Sequence, residues 1–229
     1  MEKVVIRPNS SAGPLRKKSV EELCNKILMN RENARVILFP GIGRGVEKSA
    51  LTVQAARHMA ESGKKVLIID TDMRRDKLAE ILKPEMTGQE TICGLGEYLS
   101  GSKTIDSILC MTSESALFAV FSGKADSDPT ELLSGDRLLE LVNLGTRYFD
   151  YIFIDCSPAD RFRDAEIIST CVDAVIPVVV WEKAEGRAVR KAAAAFAKIG
   201  VPDLGCILVD VPAGNSVFGR YYRKNLGNK

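Results

Sequence analysis

Short apolar runs alternate along this chain with longer stretches in which apolar residues recur every three or four positions. The runs Arg35–Phe39, Lys65–Asp70, Ala116–Phe121, Tyr151–Asp155, Ala174–Val180 and Gly205–Val209 predict strands. Several are unbroken Val/Ile/Leu, the pattern of strands covered on both faces. Helical spacing fills the intervals Lys48–Ser62, Thr130–Thr146, Asp164–Cys171 and Glu185–Ile199. A further amphipathic helix opens at Ser19, with Glu21 and Glu22 in its first turn and Leu23, Ile27 and Leu28 at helical spacing. Strands alternating with helices form right-handed βαβ units. The expected fold class is therefore α/β, with a mostly parallel central sheet flanked by helices.

The polar ends of the chain complete the organisation. Residues 1–18 carry Pro8, Gly13 and Pro14 and close on Arg16, Lys17 and Lys18, and they read as a flexible arm. Residues 19–212 read as a single α/β domain, and 213–229 as a mobile basic tail holding Tyr221 and Tyr222. With 32 Lys+Arg against 30 Asp+Glu, overall charge gives no reason to expect nucleic acid as a partner. The six cysteines are scattered and none forms a C-x-x-C pair, which points to reduced thiols. No stretch approaches the ~20 apolar residues of a membrane span, and the N-terminus does not resemble a signal peptide. The expected location is the cytoplasm, with any recruitment to the inner membrane face coming through a partner. His58 is the only histidine, so a catalytic triad and histidine-based metal sites are not expected.

Candidate chemistry begins where the first strand of the core runs into Pro40-Gly41-Ile42-Gly43-Arg44-Gly45-Val46-Glu47-Lys48-Ser49 and then a helix. A glycine-rich turn at a helix N-terminus presents backbone N–H groups to phosphate. On this reading Gly43, Arg44, Gly45, Val46, Glu47, Lys48, Ser49 and Ala50 bind nucleotide. Lys48 reaches the β- and γ-phosphates, and the Ser49 hydroxyl ligates Mg²⁺. The loop departs from G-x-x-x-x-G-K-S/T at two places, because Ile42 and Glu47 stand where glycines are expected. The Glu47 carboxylate also opposes a polyphosphate, by roughly 1–4 kcal/mol at about 4 Å.

Three strand-end acids strengthen the reading. Asp70 and Asp72 close one strand and Asp155 closes another, all at the carboxyl edge, where open α/β sheets bind ligands. Mg²⁺ takes one or two carboxylates together with water and phosphate oxygens, so Asp70, Asp72 and Asp155 beside Ser49 make a plausible metal site. The expected class is thus a P-loop nucleoside triphosphatase fold using ATP or ADP with Mg²⁺.

Four strings then resemble the bacterial tyrosine kinases of capsule and exopolysaccharide assembly. They are Lys64-Lys65-Val66-Leu67-Ile68-Ile69-Asp70-Thr71-Asp72-Met73-Arg74-Arg75, Gly94-Leu95-Gly96-Glu97-Tyr98-Leu99-Ser100-Gly101, Asp128-Pro129-Thr130-Glu131-Leu132-Leu133-Ser134, and Phe149-Asp150-Tyr151-Ile152-Phe153-Ile154-Asp155-Cys156-Ser157-Pro158. The wider class includes the MinD- and ParA-like ATPases. The resemblance implies ATP-dependent autophosphorylation of a C-terminal tyrosine tail, here Tyr221 and Tyr222. It also implies assembly of several copies and activation by a membrane-spanning chain-length regulator. By position, Lys48 would stabilise the transferring phosphoryl group, and Ser49, Asp72 and Asp155 would hold the metal. Asp70 would be the base, Arg74 would neutralise phosphate charge, and Asp210 would contact the nucleotide base.

Three features depart from that pattern: Glu47, a tail with only two tyrosines, and a first helix without the arginines of the family's E-x-x-R-x-x-R element. Two alternatives therefore stand beside the kinase. One is a degenerate relative that regulates by docking without catalysis, and the other is a MinD/ParA-like ATPase.

Overall fold

The computed structural model describes residues 5–6, 17–30, 34–43, 48–85, 92–180 and 185–209. In chain order the elements are β1 (Val5–Ile6), α1 (Lys17–Met29), β2 (Val36–Phe39), β3 (Gly41–Ile42), α2 (Lys48–Glu61), β4 (Val66–Asp70), α3 (Lys77–Leu82), β5 (Pro84–Glu85) and α4 (Leu95–Leu99). After a 3-10 turn at Ile105–Ser107 come β6 (Leu109–Met111), β7 (Leu117–Val120), α5 (Pro129–Leu133), α6 (Asp136–Gly145) and β8 (Tyr151–Asp155). Then follow α7 (Asp164–Ile168), a 3-10 turn at Ser169–Cys171, β9 (Ala174–Val175), β10 (Val178–Val180), α8 (Gly186–Ile199) and β11 (Ile207–Val209).

The central sheet has the order β6-β7-β4-β8-β2-β9, and a second ladder runs β11-β10-β3. Every pair in these two ladders is parallel except β6 with β7. The ladders are continuous. Proline has no N–H to donate, so Pro40 separates β2 from β3 and Pro177 separates β9 from β10. Bonds from Ile176 N to the Leu38 carbonyl (2.9 Å) and from Val178 N to the Pro40 carbonyl (2.8 Å) carry the pairing across the breaks. The run read as one strand, Ala174–Val180, is thus interrupted at Pro177. Likewise the helical pattern over Thr130–Thr146 divides at Ser134-Gly135, where Gly135 takes an extended conformation. The Asp128 carboxylate caps α5 by accepting Thr130 N (3.1 Å), and Pro129 occupies the first helical position.

Alternation along the buried strands sends side chains to two cores. Ile37, Phe39, Ile68 and Phe153 pack with Cys24, Ile27, Val53, Ala56 and Met59 of α1 and α2. Val36, Leu38, Ile69 and Ile152 pack with Leu138, Leu141, Val142, Ile168 and Phe196 on the opposite side. Each fully buried Val, Leu, Ile, Phe or Met among them contributes about 1.5–3 kcal/mol relative to exposure. The period of two also puts Asp70 and Asp155, in phase with Ile68 and Phe153, on the α2 side of the sheet.

The strand read at Arg35–Phe39 lies beside Tyr151–Asp155, which in turn lies beside Val66–Asp70. In the segment read as an arm, β1 pairs antiparallel with β5, and α1 begins at Lys17. Residues 213–229 lie outside the described residues. Among the described residues the cysteines form no disulfide.

The glycines of the 94–101 string have a packing reason. A Cβ at Gly96 would stand 2.1 Å from the Lys124 carbonyl oxygen, and one at Gly94 would stand 2.4 Å from that of Phe121. The Glu97 carboxylate fastens the same approach by accepting Gly94 N (2.9 Å) and Lys124 N (3.1 Å).

Candidate functional site

The loop from β3 reaches Gly43 at φ +100°, a left-handed conformation suited to glycine, before α2 begins at Lys48. Arg44, Gly45, Val46 and Glu47 lie outside the described residues, as do Asp210, Tyr221 and Tyr222. Lys48, Ser49 and Ala50 form the first turn of α2 and all three are buried.

Around that turn the polar groups converge. Lys48 Nζ lies 3.1 Å from Asp155 Oδ1 and donates to Asp155 Oδ2 at 3.2 Å. It stands 3.8 Å from Asp72 Oδ2. Ser49 Oγ donates a short hydrogen bond to Asp155 Oδ2. Asp70 and Asp155 are register partners on adjacent strands, and Thr71 ties the strand ends by donating N–H (2.8 Å) and hydroxyl (2.7 Å) to the Asp155 carbonyl. Asp70 accepts Asp72 N at 3.0 Å and Leu78 N at 3.4 Å. Asp70 and Asp155 have no exposed surface, and Lys48 and Asp72 have almost none.

Burial and mutual charge set the proton affinities. Burial pushes the Asp70 carboxyl well above the usual range, and the neighbouring Asp155 charge adds to the rise. Asp155 is likewise raised, first by burial, with Lys48 and the Ser49 hydroxyl pulling the other way. For Lys48, burial is the largest influence and opposes its charge. The nearby Asp155, Cys156 and Asp72 outweigh it together and hold the ammonium above its ordinary value. The fully buried Cys156 thiol is pushed up by burial and is not an available nucleophile.

Arg74, expected to neutralise phosphate charge, is held by a carboxylate in this structure. Its guanidinium forms a short ion pair with Asp164 and donates to Thr130 Oγ1 (2.9 Å) and Asp128 Oδ1 (3.3 Å). It also stacks over the Phe162 ring, 4.2 Å from the centroid. A longer bond to Ser157 Oγ (3.4 Å) links it to the acids, because Ser157 donates to Asp72 Oδ1 at 2.8 Å. The residues missed in sequence are therefore Ser157, which lay inside a recognised string without a role, and Asp164, which lay in none.

A hard cation fits this set. Asp155 Oδ1 is buried and has no hydrogen-bond donor, only the ion pair with Lys48. Ser49 and Asp72 add oxygen donors beside it. Among the described residues no group of three or more Cys, His, Asp or Glu side chains could hold a metal ion by itself, so water and phosphate would have to supply most of a Mg²⁺ shell. His58 sits on α2, away from these groups in every contact described.

The AAA domain family matches residues 34–186, about two-thirds of the chain. The chain is 32% identical over 208 residues to "Tyrosine-protein kinase CpsD" of Streptococcus pneumoniae, covering 90% of each protein. Among solved structures, the "BceF Tyrosine Kinase Domain" superposes with a TM-score of 0.76 at 29% identity, over 91% of this chain and 83% of that one. The septum site-determining protein MinD of Pyrococcus horikoshii, solved with Mg-ADP, gives a TM-score of 0.63 at 22% identity, over 76% of this chain and 71% of that one. The MinD likeness shows the shared P-loop fold alone. The likeness to the kinases extends along the sequence through both strand-end acid motifs, and the chain belongs to the bacterial tyrosine-protein kinase family.

Proposed function

We propose that this chain is an ATP-dependent protein-tyrosine kinase that phosphorylates the tail tyrosines of its own kind and thereby regulates capsular or exopolysaccharide polymerisation and export. The observation that carries this reading is the burial together of Lys48, Ser49, Asp72 and Asp155 where a helix begins at the carboxyl edge of a parallel sheet. Phosphoryl transfer needs positioning and charge stabilisation more than covalent chemistry, and this constellation supplies both.

In the proposed roles, Ser49, Asp72 and Asp155 would hold Mg²⁺, which would supply neutralising charge to the phosphates. Lys48, which pairs with Asp155 and Asp72 here, would stabilise the transferring phosphoryl group. A tyrosine oxygen, Tyr221 or Tyr222 of another copy, bonds to the γ-phosphorus as the bond to the ADP oxygen breaks. The phenolic proton goes to Asp70, whose raised proton affinity suits a base. To accept it, Asp70 gives up the longer of its two backbone bonds, that from Leu78. The Arg74 contacts support a clamping role over direct phosphate contact, and Asp210 keeps its proposed place near the nucleotide base.

Among the described residues no helix is long and apolar enough to cross a membrane. We place the chain in the cytoplasm, brought to the membrane by a membrane-spanning chain-length regulator. Mass spectrometry of the tail after incubation with Mg·ATP and the regulator's cytoplasmic segment tests the reading. Phosphate on Tyr221 or Tyr222 is expected. An unmodified tail would favour the docking alternative that Glu47 raises. In that case Glu47→Gly should tighten ADP binding several-fold, through lost repulsion.

A further inference from the structure

The site's acids are held by a second polar layer that the proposed reaction does not use. Asp164, at the start of α7, has no exposed surface, yet both of its carboxylate oxygens are engaged, one by Arg74 and the other by Thr130 Oγ1 at 2.8 Å. Thr130 in turn belongs to α5, whose cap Asp128 also receives Arg74. Three segments distant in sequence thus close around one guanidinium. Phe162 covers one face of that guanidinium. Its remaining bond goes to Ser157, itself fully buried, which directs its hydroxyl at Asp72 Oδ1. The opposite oxygen of Asp72 faces Lys48.

We infer that Asp164, through Arg74 and Ser157, is a positioning residue that fixes the Asp72 carboxylate and so sets how strongly the site takes Mg²⁺. The physical reason is the cost of a buried charge. An Arg74 without Asp164 would have to turn toward water or toward the carboxylates of the site. Either movement breaks the Ser157 link and frees Asp72 to rotate. Groups that orient metal-binding carboxylates commonly govern metal affinity by about 10–100-fold, although they never touch the ion. Because α5 and α7 meet at the same guanidinium, anything that displaces either helix would reach Asp72 by this route.

The inference rests on the kinase reading for its metal, so the experiment has two arms. In the first, hydrogen exchange is followed on the nucleotide-free full chain. Asp164→Asn and Ser157→Ala should each speed exchange about tenfold over residues 70–76, leaving 36–39 unchanged. Asp164→Asn should do the same over 128–134. In the second, Mg²⁺ is titrated against ADP binding by calorimetry. Both variants should need about tenfold more Mg²⁺, while ADP affinity in excess chelator stays at the wild-type value. Thr130→Val should follow Asp164→Asn, and Thr130→Ser, which keeps the hydroxyl, should restore the wild-type requirement.

Exchange over 70–76 that matches wild type in both variants, or an unchanged Mg²⁺ requirement in folded protein, overturns the inference. If Asp164→Asn does not fold, Ser157→Ala decides it. A wild-type chain that binds no ADP even with Mg²⁺ defeats the kinase reading instead, and the exchange arm then decides the inference by itself.

Discussion

Arg35, at the amino end of β2, gives its guanidinium to the backbone carbonyls of Phe149 (2.6 Å), Thr146 (2.9 Å) and Asp150 (3.1 Å). Lys48, beyond the other end of the same strand line, gives its ammonium to carboxylates. The contrast extends to the acids. Near Arg35, Asp173 accepts the N–H groups of Arg35 and Val36, both at 2.8 Å, and Asp150 accepts Lys65 N at 2.9 Å. These charged groups close off strand starts that would otherwise leave backbone unpaired. At the carboxyl edge the acids face a lysine, a serine and one another, and Asp155 Oδ1 has only the ion pair with Lys48. One end of the sheet is arranged for stability. The other holds charge under tension, ready for a ligand.

Breaking the carboxyl end should therefore abolish activity, and breaking the amino end should lower stability. The largest expected effect is on Lys48→Met, which should reduce tail phosphorylation by about 10³-fold or more, because no other cation described stands beside Asp155. Phosphate on Tyr221 and Tyr222, quantified by mass spectrometry against time, gives the ratio. Turnover within tenfold of wild type would remove Lys48 from the chemistry. Arg35→Met should do the opposite. Losing three bonds from a charged donor should lower stability by about 2–3 kcal/mol, roughly 5–10 °C in Tm, while turnover per folded molecule stays within about twofold. Denaturant melts alongside the same phosphorylation assay would expose any mixing of the two roles.

The tension at the carboxyl edge has a pH signature. Asp70 and Asp155 bind protons more tightly when folded than when unfolded, since burial raises both. A carboxyl of that kind favours the folded state fully at pH below its unfolded value, and its contribution falls as pH rises through the folded value. Lys48, also raised, keeps its contribution until pH climbs past its unfolded value near 10.5. Replacing Asp70 by Asn should therefore raise Tm at neutral pH by roughly 2–4 °C, about 1 kcal/mol, at the expense of activity. The gain should shrink as pH is lowered toward 4, which paired melts across that range would show. A variant less stable than wild type at neutral pH would mean that the Leu78 and Asp72 bonds to the carboxylate outweigh its burial.

The sequence makes the two ends unequally legible. Asp70, Asp72 and Asp155 are visible because a hydrophobic strand that ends in an acid is a local pattern, and Lys48-Ser49 follows a strand–turn–helix transition readable within ten residues. Asp164 and Ser157 carry no such pattern. They act through Arg74 and Asp72, which lie 90 and 85 positions away along the chain. Only the folded sheet brings those segments together. Arg74 shows the same limit: its position beside the acids suggests a phosphate ligand, and the Asp164 carboxylate that it binds lies 90 positions away. The broken strand at Pro177 was readable in principle from the missing N–H. The short helices α3 and α4 were not, being too brief to show a period. Arg35 and its carbonyl partners also left no signal, because backbone acceptors have no side-chain identity.

The smallest expected effect tests whether every charge at the amino end matters equally. Arg57, late in α2, pairs with Glu114 before β7, with Nε 2.7 Å from Oε1 and side chains 20% and 27% exposed. The pair borders a cleft of about 410 Å³ lined by Arg57, Ala60, Glu61, Glu114, Ser115 and Ala116. Arg57 Nη2 has no hydrogen-bond partner, so the guanidinium is only partly satisfied, unlike that of Arg35. A partly exposed pair contributes little, because water competes for both ions and ordering two long side chains costs entropy. Arg57→Met keeps most of the apolar stem that covers the helix and removes the charge. It should change stability by no more than about 1 kcal/mol, with nucleotide affinity and tail phosphorylation unchanged. Any loss should narrow further in 1 M salt, where the Debye length falls to about 3 Å. Melts of both proteins at low and high salt measure this directly. A loss above about 2 kcal/mol that persists in salt would place Arg57 with Arg35 as a structural clamp, and altered ADP affinity would show that the amino end communicates with the site.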